Sequence, residues 1–370
     1  MKLLAAWLTV LALSLPRMAA ADTVRLLIPD RDNLQYLAFW VAKGAGYFAE
    51  EGLDIALSIP SAPGQTTDYF RRNDSDVAVL PPPMYLELIG ARFPVLLVAN
   101  LLANDPIDLV VRSSVAKRIG VTKDQPMAER LAHLKGLRMG VAPHPVTRLR
   151  ALFSSYGMNA DRDLEIVTLP GPQQNYAFAE ERVDALFCHT PYLETSLVDQ
   201  GAEVIVNLSA GEVPSLATRQ IHALVVTRAF AARYPSTTER LTRAVARAEK
   251  LIHKDTAGTV AAILNEFRTM DPRKVQTLVE IYTPAVPATP RVSKDGILPA
   301  LAFFPANKPP PSLEGIDLDE YVAPDFAEEA SRRMPRKLLV LALTSAAFLL
   351  AAILVAIAWW NRRGVASKSA

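Results

Sequence analysis

Two stretches of this chain, "PGQTTDYFRRNDSDVAVLPPPMYLE" (63–87) and "PGPQQNYAFAEERVDALFCHTPYLE" (170–194), follow one plan. Each runs through a Pro-Gly loop, a helix, an Asp-led strand, a Pro-containing turn and a Tyr-Leu-Glu helix start. Any two α/β units share some of this punctuation, so the likeness also admits coincidence. A duplicated unit, however, constrains the fold strongly. It requires two lobes of similar architecture, with ligands held beyond the carboxyl ends of the strands.

The surrounding pattern agrees with such units. From Val24 to about Ala300, short β-branched runs alternate with amphipathic helical segments, which is the signature of an α/β protein with largely parallel sheets. Strands are expected at 24–28, 54–59, 77–80, 95–99, 108–112, 137–142, 164–168, 185–188, 203–206 and 221–227, and residues 229–281 read as mostly helical. Between the first two strands, Leu34, Leu37, Ala38, Val41, Ala42 and Ala45 recur at helical spacing and define a packing face. Asp32 with Gln35 can form a capping box at the start of that helix. Gly44 and Gly46 end or bend it, and Gly52 is a C-cap before the next strand.

Half of the 370 residues are apolar, more than two lobes of this size need, and the excess lies at the two ends. Met1 to Ala21 has Lys2, an apolar run from Leu3 to Leu15, a Pro16-Arg17 break and Ala19-Ala20-Ala21, the pattern of a secretory signal with mature Asp22. Leu338 to Trp360 is an uncharged tract of 23 residues. As a helix it would span roughly 34 Å, the thickness of a bilayer core. Basic residues flank it on both sides, Arg332, Arg333, Arg336 and Lys337 before and Arg362, Arg363 and Lys368 after. Charge bias therefore gives no orientation. A secreted amino-terminal part followed by one stop-transfer helix would leave 361–370 in the cytoplasm and 22 to about 335 on the extracytoplasmic, periplasmic side of the inner membrane.

The lone Cys188 excludes an internal disulfide, and no Cys follows the signal run to accept a lipid. A net charge of +2, with no basic run inside the globular part, excludes nucleic acid as an expected partner. From Thr283 onward the chain is rich in Pro and then acidic. Residues 305–337 read as an extended stalk before the membrane helix.

"YLAFWVAKGAGYFAEEGLDIAL", followed in order by "DVAVL", "LKGLRMGV", "RVDALF", "PYLE" and "LVVTRAFAARYP", resembles the substrate-binding proteins of ABC importers for nitrate, sulfonates, taurine and thiamine-pyrimidine precursors. The resemblance runs from Asp32 to Pro235. It implies a two-lobed periplasmic-binding-protein (type II) α/β fold that closes on a small molecule. The first lobe would be 22–112 with 220–304, and the second 113–219. It also implies ABC permease and ATPase subunits as partners, with no catalysis, no cofactor and no metal. Pyrimidine-precursor synthases share this fold, but they are cytosolic, and no G-x-S-x-G, H-E-x-x-H or phosphate loop is present. A solute sensor acting through another membrane protein is a third reading, because a tail of about ten residues is too short for an output domain.

On this fold, ligand positions fall in the loops at strand ends. In the first lobe they are Asn33, Gln35, Tyr36 and Phe39, then Gln65 and Thr66, then Pro82 and Met84; in the second, His144, Thr147, Arg148, Gln173, Asn175, His189 and Thr190. Two loops depart from the family pattern: "APHPVTRLR" and Pro81-Pro82-Pro83 stand where relatives carry small hydroxyl or polar residues. With Phe39, Trp40 and Tyr85 near the expected cleft, these loops favour a heterocyclic organic ligand over an oxyanion. His144 and His189 have no Cys pair beside them, no His-rich tract and no fixed spacing, so they do not define a metal site.

Overall fold

A computed structural model describes residues 21–31, 33–217, 220–304, 309–332, 345–346 and 348–354. Its framework is two five-stranded sheets. The strands are β1 (Asp22–Leu27), β2 (Leu53–Ser58), β3 (Val77–Leu80), β4 (Val95–Leu102), β5 (Asp108–Arg112), β6 (Arg138–Val141), β7 (Glu165–Thr168), β8 (Ala185–Cys188), β9 (Ala202–Val206) and β10 (His222–Thr227).

The first sheet has the order β2-β1-β3-β10-β4 and the second β7-β6-β8-β5-β9. Each has a parallel trio and one antiparallel strand, β10 between β3 and β4 and β5 between β8 and β9. The two orders superpose element for element, so β3 and β8, the strands of the duplicated unit, occupy the same position. Helices cover both faces of the central strands, and β3, β8 and β10 are accordingly buried along their whole length.

Each antiparallel strand arrives from the other lobe. The chain leaves the first sheet after Leu102 and enters the second at Asp108; it returns after Val206 and re-enters the first at His222. This moves the expected lobe boundary. Asp108–Arg112, assigned from sequence to the first lobe, pairs with β8 and β9 in the second.

Two further expectations are corrected. Residues 309–332 are not an extended stalk: Leu313, Ile316, Leu318 and Val322 pack on the core beside β4, and Tyr321 is buried there. Val322 forms a bridge with Leu97, the Ala323 amide donates to the Leu97 carbonyl at 3.0 Å, and the helix Pro324–Arg332 packs on the long helix Pro235–Lys254. The segment thus covers the free edge of β4, an edge that would otherwise expose unpaired amides and carbonyls. The helix Pro272–Tyr282, expected within the first lobe, also reaches the second, packing on Tyr192–Asp199 with Lys274 Nζ 2.5 Å from Asp199.

Of the expected signal segment, 1–21, residues 1–20 lie outside the described residues, and so does most of 338–360. Among the described residues no helix is long and apolar enough to cross a membrane. Residues 348–354 are helical, and Phe348, Leu349 and Leu350 are 60–66% exposed.

Candidate functional site

The carboxyl ends of β1 and β3 in one lobe, and of β6 and β8 in the other, open toward the two crossings. After β1 the chain makes a short turn, Leu34–Tyr36. Asp32, the expected cap, lies outside the described residues, and Asn33 serves instead, its Oδ1 accepting from the Gln35 amide at 3.0 Å. This fixes the buried Gln35 and Tyr36 beside His222, the first residue of β10. His222 Nε2 lies 3.2 Å from Gln35 Oε1, and the Tyr36 and His222 rings are 4.9 Å apart.

The second lobe brings Arg148 from the helix Val146–Ser154, and the outgoing crossing brings Asp105. Arg148 Nη1 lies 3.1 Å from Asp105 Oδ1, with Asp105 fully buried and the Arg148 side chain 12% exposed. Burial lowers the Arg148 pKa and the Asp105 carboxylate opposes that shift. Burial likewise pushes His222 down to about 3 and His189 to about 4, and the Arg148 charge adds to the effect on both. His222, His189, Arg148 and Asp105 therefore form one electrostatic cluster shared by both lobes and a crossing, with two neutral imidazoles and one internally matched ion pair.

The tautomers follow from the partners. Gln35 Oε1 can only accept, so His222 Nε2 carries the proton and Nδ1 keeps its lone pair; Nδ1 has no hydrogen-bond partner among the described residues and is out of solvent contact. His189 Nδ1 lies 2.5 Å from the Thr190 carbonyl, so it too donates, leaving Nε2 as an acceptor on a half-buried ring. Both rings keep an acceptor nitrogen, His189 Nε2 on a half-buried ring and His222 Nδ1 sealed from solvent.

The other expected positions separate. Phe39 is corrected to core: it is fully buried, edge-on to Trp40 at 5.0 Å and 5.8 Å from the Phe48 ring. Trp40 and Tyr85 are equally buried, and the Tyr85 hydroxyl donates to the Gln220 carbonyl. Met84 packs against the core beside β4, Thr66 and Pro82 are buried, and exposed Gln65 accepts from Ser61 Oγ at 2.9 Å. Asn175 is committed to the Tyr192 carbonyl at 2.9 Å and to Gln200, while Gln173 is exposed. His144 is exposed, with Thr147 donating to its carbonyl at 3.2 Å.

Thr190 is buried and structural. Its hydroxyl donates to Glu194 at 2.7 Å, and its amide donates to the Tyr282 hydroxyl, which itself donates to the Pro106 carbonyl at 2.9 Å. One phenol thus ties the outgoing crossing to the loop after β8. A cavity of about 560 Å3 lies at the return crossing, lined among others by Asn100, Pro214, Gln220 and Asp295, and does not include the histidine pair. Among the described residues no group of three or more His, Cys, Asp or Glu is placed to hold a metal ion.

Sequence reasoning missed His222 and Asp105. The available signals were a histidine opening the buried strand of "QIHALVVT" and an acid in "ANDPID" between two apolar strands, each a polar group where the pattern calls for burial.

Two lobes of matched strand order, joined by two crossings around a shared polar cluster, define the periplasmic-binding-protein class of fold. The chain belongs to the NMT1-like family, whose sequence profile matches residues 32–265. It is 24% identical to the binding protein YtlA, so assigned by name, of Bacillus subtilis over 258 residues, 68% of this chain and 72% of that one. It is 27% identical to the 4-amino-5-hydroxymethyl-2-methylpyrimidine phosphate synthase THI11 of Saccharomyces cerevisiae over 143 residues, 38% of this chain and 39% of the yeast enzyme. In structure it is similar to the alkanesulfonate-binding protein SsuA of Xanthomonas axonopodis bound to MOPS, with a TM-score of 0.54 at 18% identity over 77% of this chain and 91% of that one.

Proposed function

We propose that this chain is a solute-binding protein that holds a small, neutral, heterocyclic ligand bearing N–H donors between its lobes and delivers it to an ABC permease and ATPase on the periplasmic face of the inner membrane. The observation that carries this reading is the hydrogen-bond polarity of the cluster. Two neutral imidazoles present acceptors, and the one nearby guanidinium already faces a buried carboxylate. Nitrate and sulfonates are acceptors only and would meet lone pairs; an amino-substituted heterocycle supplies the missing donors. The likeness to a pyrimidine phosphate synthase over part of the chain supports the ligand class. The match to YtlA over most of the chain, and the signal-like pattern of residues 1–21, support binding over catalysis.

Membrane tethering belongs to the same proposal. It is supported by the uncharged tract 338–360 and by the exposure of Phe348, Leu349 and Leu350, apolar side chains left uncovered by the described residues. A thermal-shift screen of the secreted portion against aminopyrimidines, riboflavin-like compounds, taurine, alkanesulfonates and nitrate tests the ligand class. Stabilisation by an amino-heterocycle is expected; stabilisation by nitrate or an unsubstituted alkanesulfonate alone would establish the oxyanion reading. Recovery of a kinase or cyclase in place of a permease, after gentle detergent extraction, would establish a sensor.

A further inference from the structure

We propose a second ligand site on the first lobe, remote from the histidine cluster, that takes a phosphate-bearing anion. The helix Pro235–Lys254 turns five basic side chains, Arg243, Arg247, Lys250, His253 and Lys254, onto a cavity of about 490 Å3, whose far wall is residues 288–290 and Ala330. No carboxylate is among the lining residues.

Part of this charge has a structural role. Arg243 Nε lies 3.0 Å from Glu51 Oε2, and Arg247 reaches Glu50 at 2.5 Å and Glu51 at 3.6 Å. Two acids thus face two guanidiniums, and these pairs fasten the long helix to the helical turn Tyr47–Glu50. Lys250 and Lys254 are left over, both exposed, with no ion pair among the described residues. Their positions four residues apart put two like charges on one helix face, an arrangement that costs stability when nothing anionic lies between them.

The second observation is Arg243 itself. Its side chain is nine-tenths buried and lines the cavity, and its Nη1, out of solvent contact in the ligand-free chain, has no hydrogen-bond partner among the described residues. A guanidinium fastened through Nε with an arm unmatched is costly to bury unless an acceptor completes it. Phosphate oxygens suit a guanidinium fork and the flanking ammonium groups together. A phosphate monoester in solution and the headgroup of an anionic phospholipid share this chemistry.

The test uses the full-length chain in detergent, titrated calorimetrically with inorganic pyrophosphate, with a short-chain phosphatidylglycerol and with the matching phosphatidylcholine. Saturable binding of one equivalent is expected for pyrophosphate or phosphatidylglycerol. The Lys250→Gln/Lys254→Gln variant, changed only at exposed positions, should weaken it at least ~10-fold, the loss of two favourable charges. Arg243→Lys should weaken it further, and His222→Phe should leave it unchanged. Binding of pyrophosphate alone assigns a soluble phosphate; binding of phosphatidylglycerol but not phosphatidylcholine assigns a lipid headgroup. Absence of saturable binding to either, or an affinity unchanged in the double lysine variant, overturns the proposal.

Discussion

The loops after β3 and after β8 stand at the same place in two sheets of the same strand order, yet their chemistry is opposite. In the first lobe Pro81-Pro82-Pro83 closes the strand end with apolar rings, and the next aromatic, Tyr85, is sealed in the core with its hydroxyl on the Gln220 carbonyl. In the second lobe His189-Thr190-Pro191 supplies an imidazole acceptor and a threonine held by Glu194 and Tyr282. A duplicated scaffold therefore leaves recognition unequal. The second lobe contributes polar groups from its own repeat, whereas the first contributes Gln35 and His222 from outside it. Specificity can diverge on one copy while the other keeps the fold.

The largest expected effect concerns the pair that spans crossing and second lobe. Arg148→Leu leaves Asp105 as a buried carboxylate facing no guanidinium and should cost about 3–5 kcal/mol in chemical denaturation, with Asp105→Leu/Arg148→Leu recovering most of it. A cost under about 1 kcal/mol would mean that the pair is solvated and the cluster open to anions.

The first lobe buries charge differently. Glu249 is fully buried, neither of its oxygens has a hydrogen-bond partner among the described residues, and burial holds its carboxyl well above the usual range. A folded-state pKa above the unfolded one means that stability is fully present below about pH 4 and is lost as the pH rises. Glu249→Leu should therefore stabilise by about 1–3 kcal/mol at pH 4, where the carboxyl is neutral but lacks hydrogen-bond partners, and by more at pH 7.5, measured as paired urea melts.

Smaller effects separate scaffold from recognition. Tyr282→Phe removes the hydroxyl that joins Pro106 to Thr190 and should cost about 1–2 kcal/mol, with ligand affinity falling alongside if the loop after β8 is what it positions. His222→Phe keeps the ring contact with Tyr36 but loses the acceptor; ligand affinity should drop ~10-fold, or about 1.4 kcal/mol, and the melting temperature should fall modestly because buried Gln35 Oε1 loses its donor. The smallest effect is a null one. With His222 near 3 and His189 near 4, both rings stay neutral across pH 6–8, so affinity should be flat there and fall only as the pH approaches 4.

Much of the framework was legible from the chain. All ten strands fall where β-branched runs end in turn residues, and the repeat foretold matching sheet positions. Side-chain placement was harder to read. Placing ligand contacts in the loops at strand ends put Phe39 and Trp40 near the cleft, but the helices Pro235–Lys254 and Thr256–Glu266 wrap the helix Leu37–Gly44 and bury Leu37 to Ala42 throughout. Proline and acid content concealed the apolar spacing of Leu313, Ile316, Tyr321 and Val322, which covers the β4 edge. At His222 and Asp105 the local signal is only a polar group within an apolar run; their meaning depends on two crossings about 100 residues apart in the chain.

The central claim is that the interlobe cluster presents acceptors and no free charge. Isothermal titration of the wild-type secreted portion, at low ionic strength and pH 7, with an aminopyrimidine series on one side and ethanesulfonate and nitrate on the other, tests it most directly. The account predicts saturable binding that requires a ligand N–H donor, with no measurable heat from either oxyanion. Micromolar binding of ethanesulfonate or nitrate, with none of the aminopyrimidines bound, would contradict it.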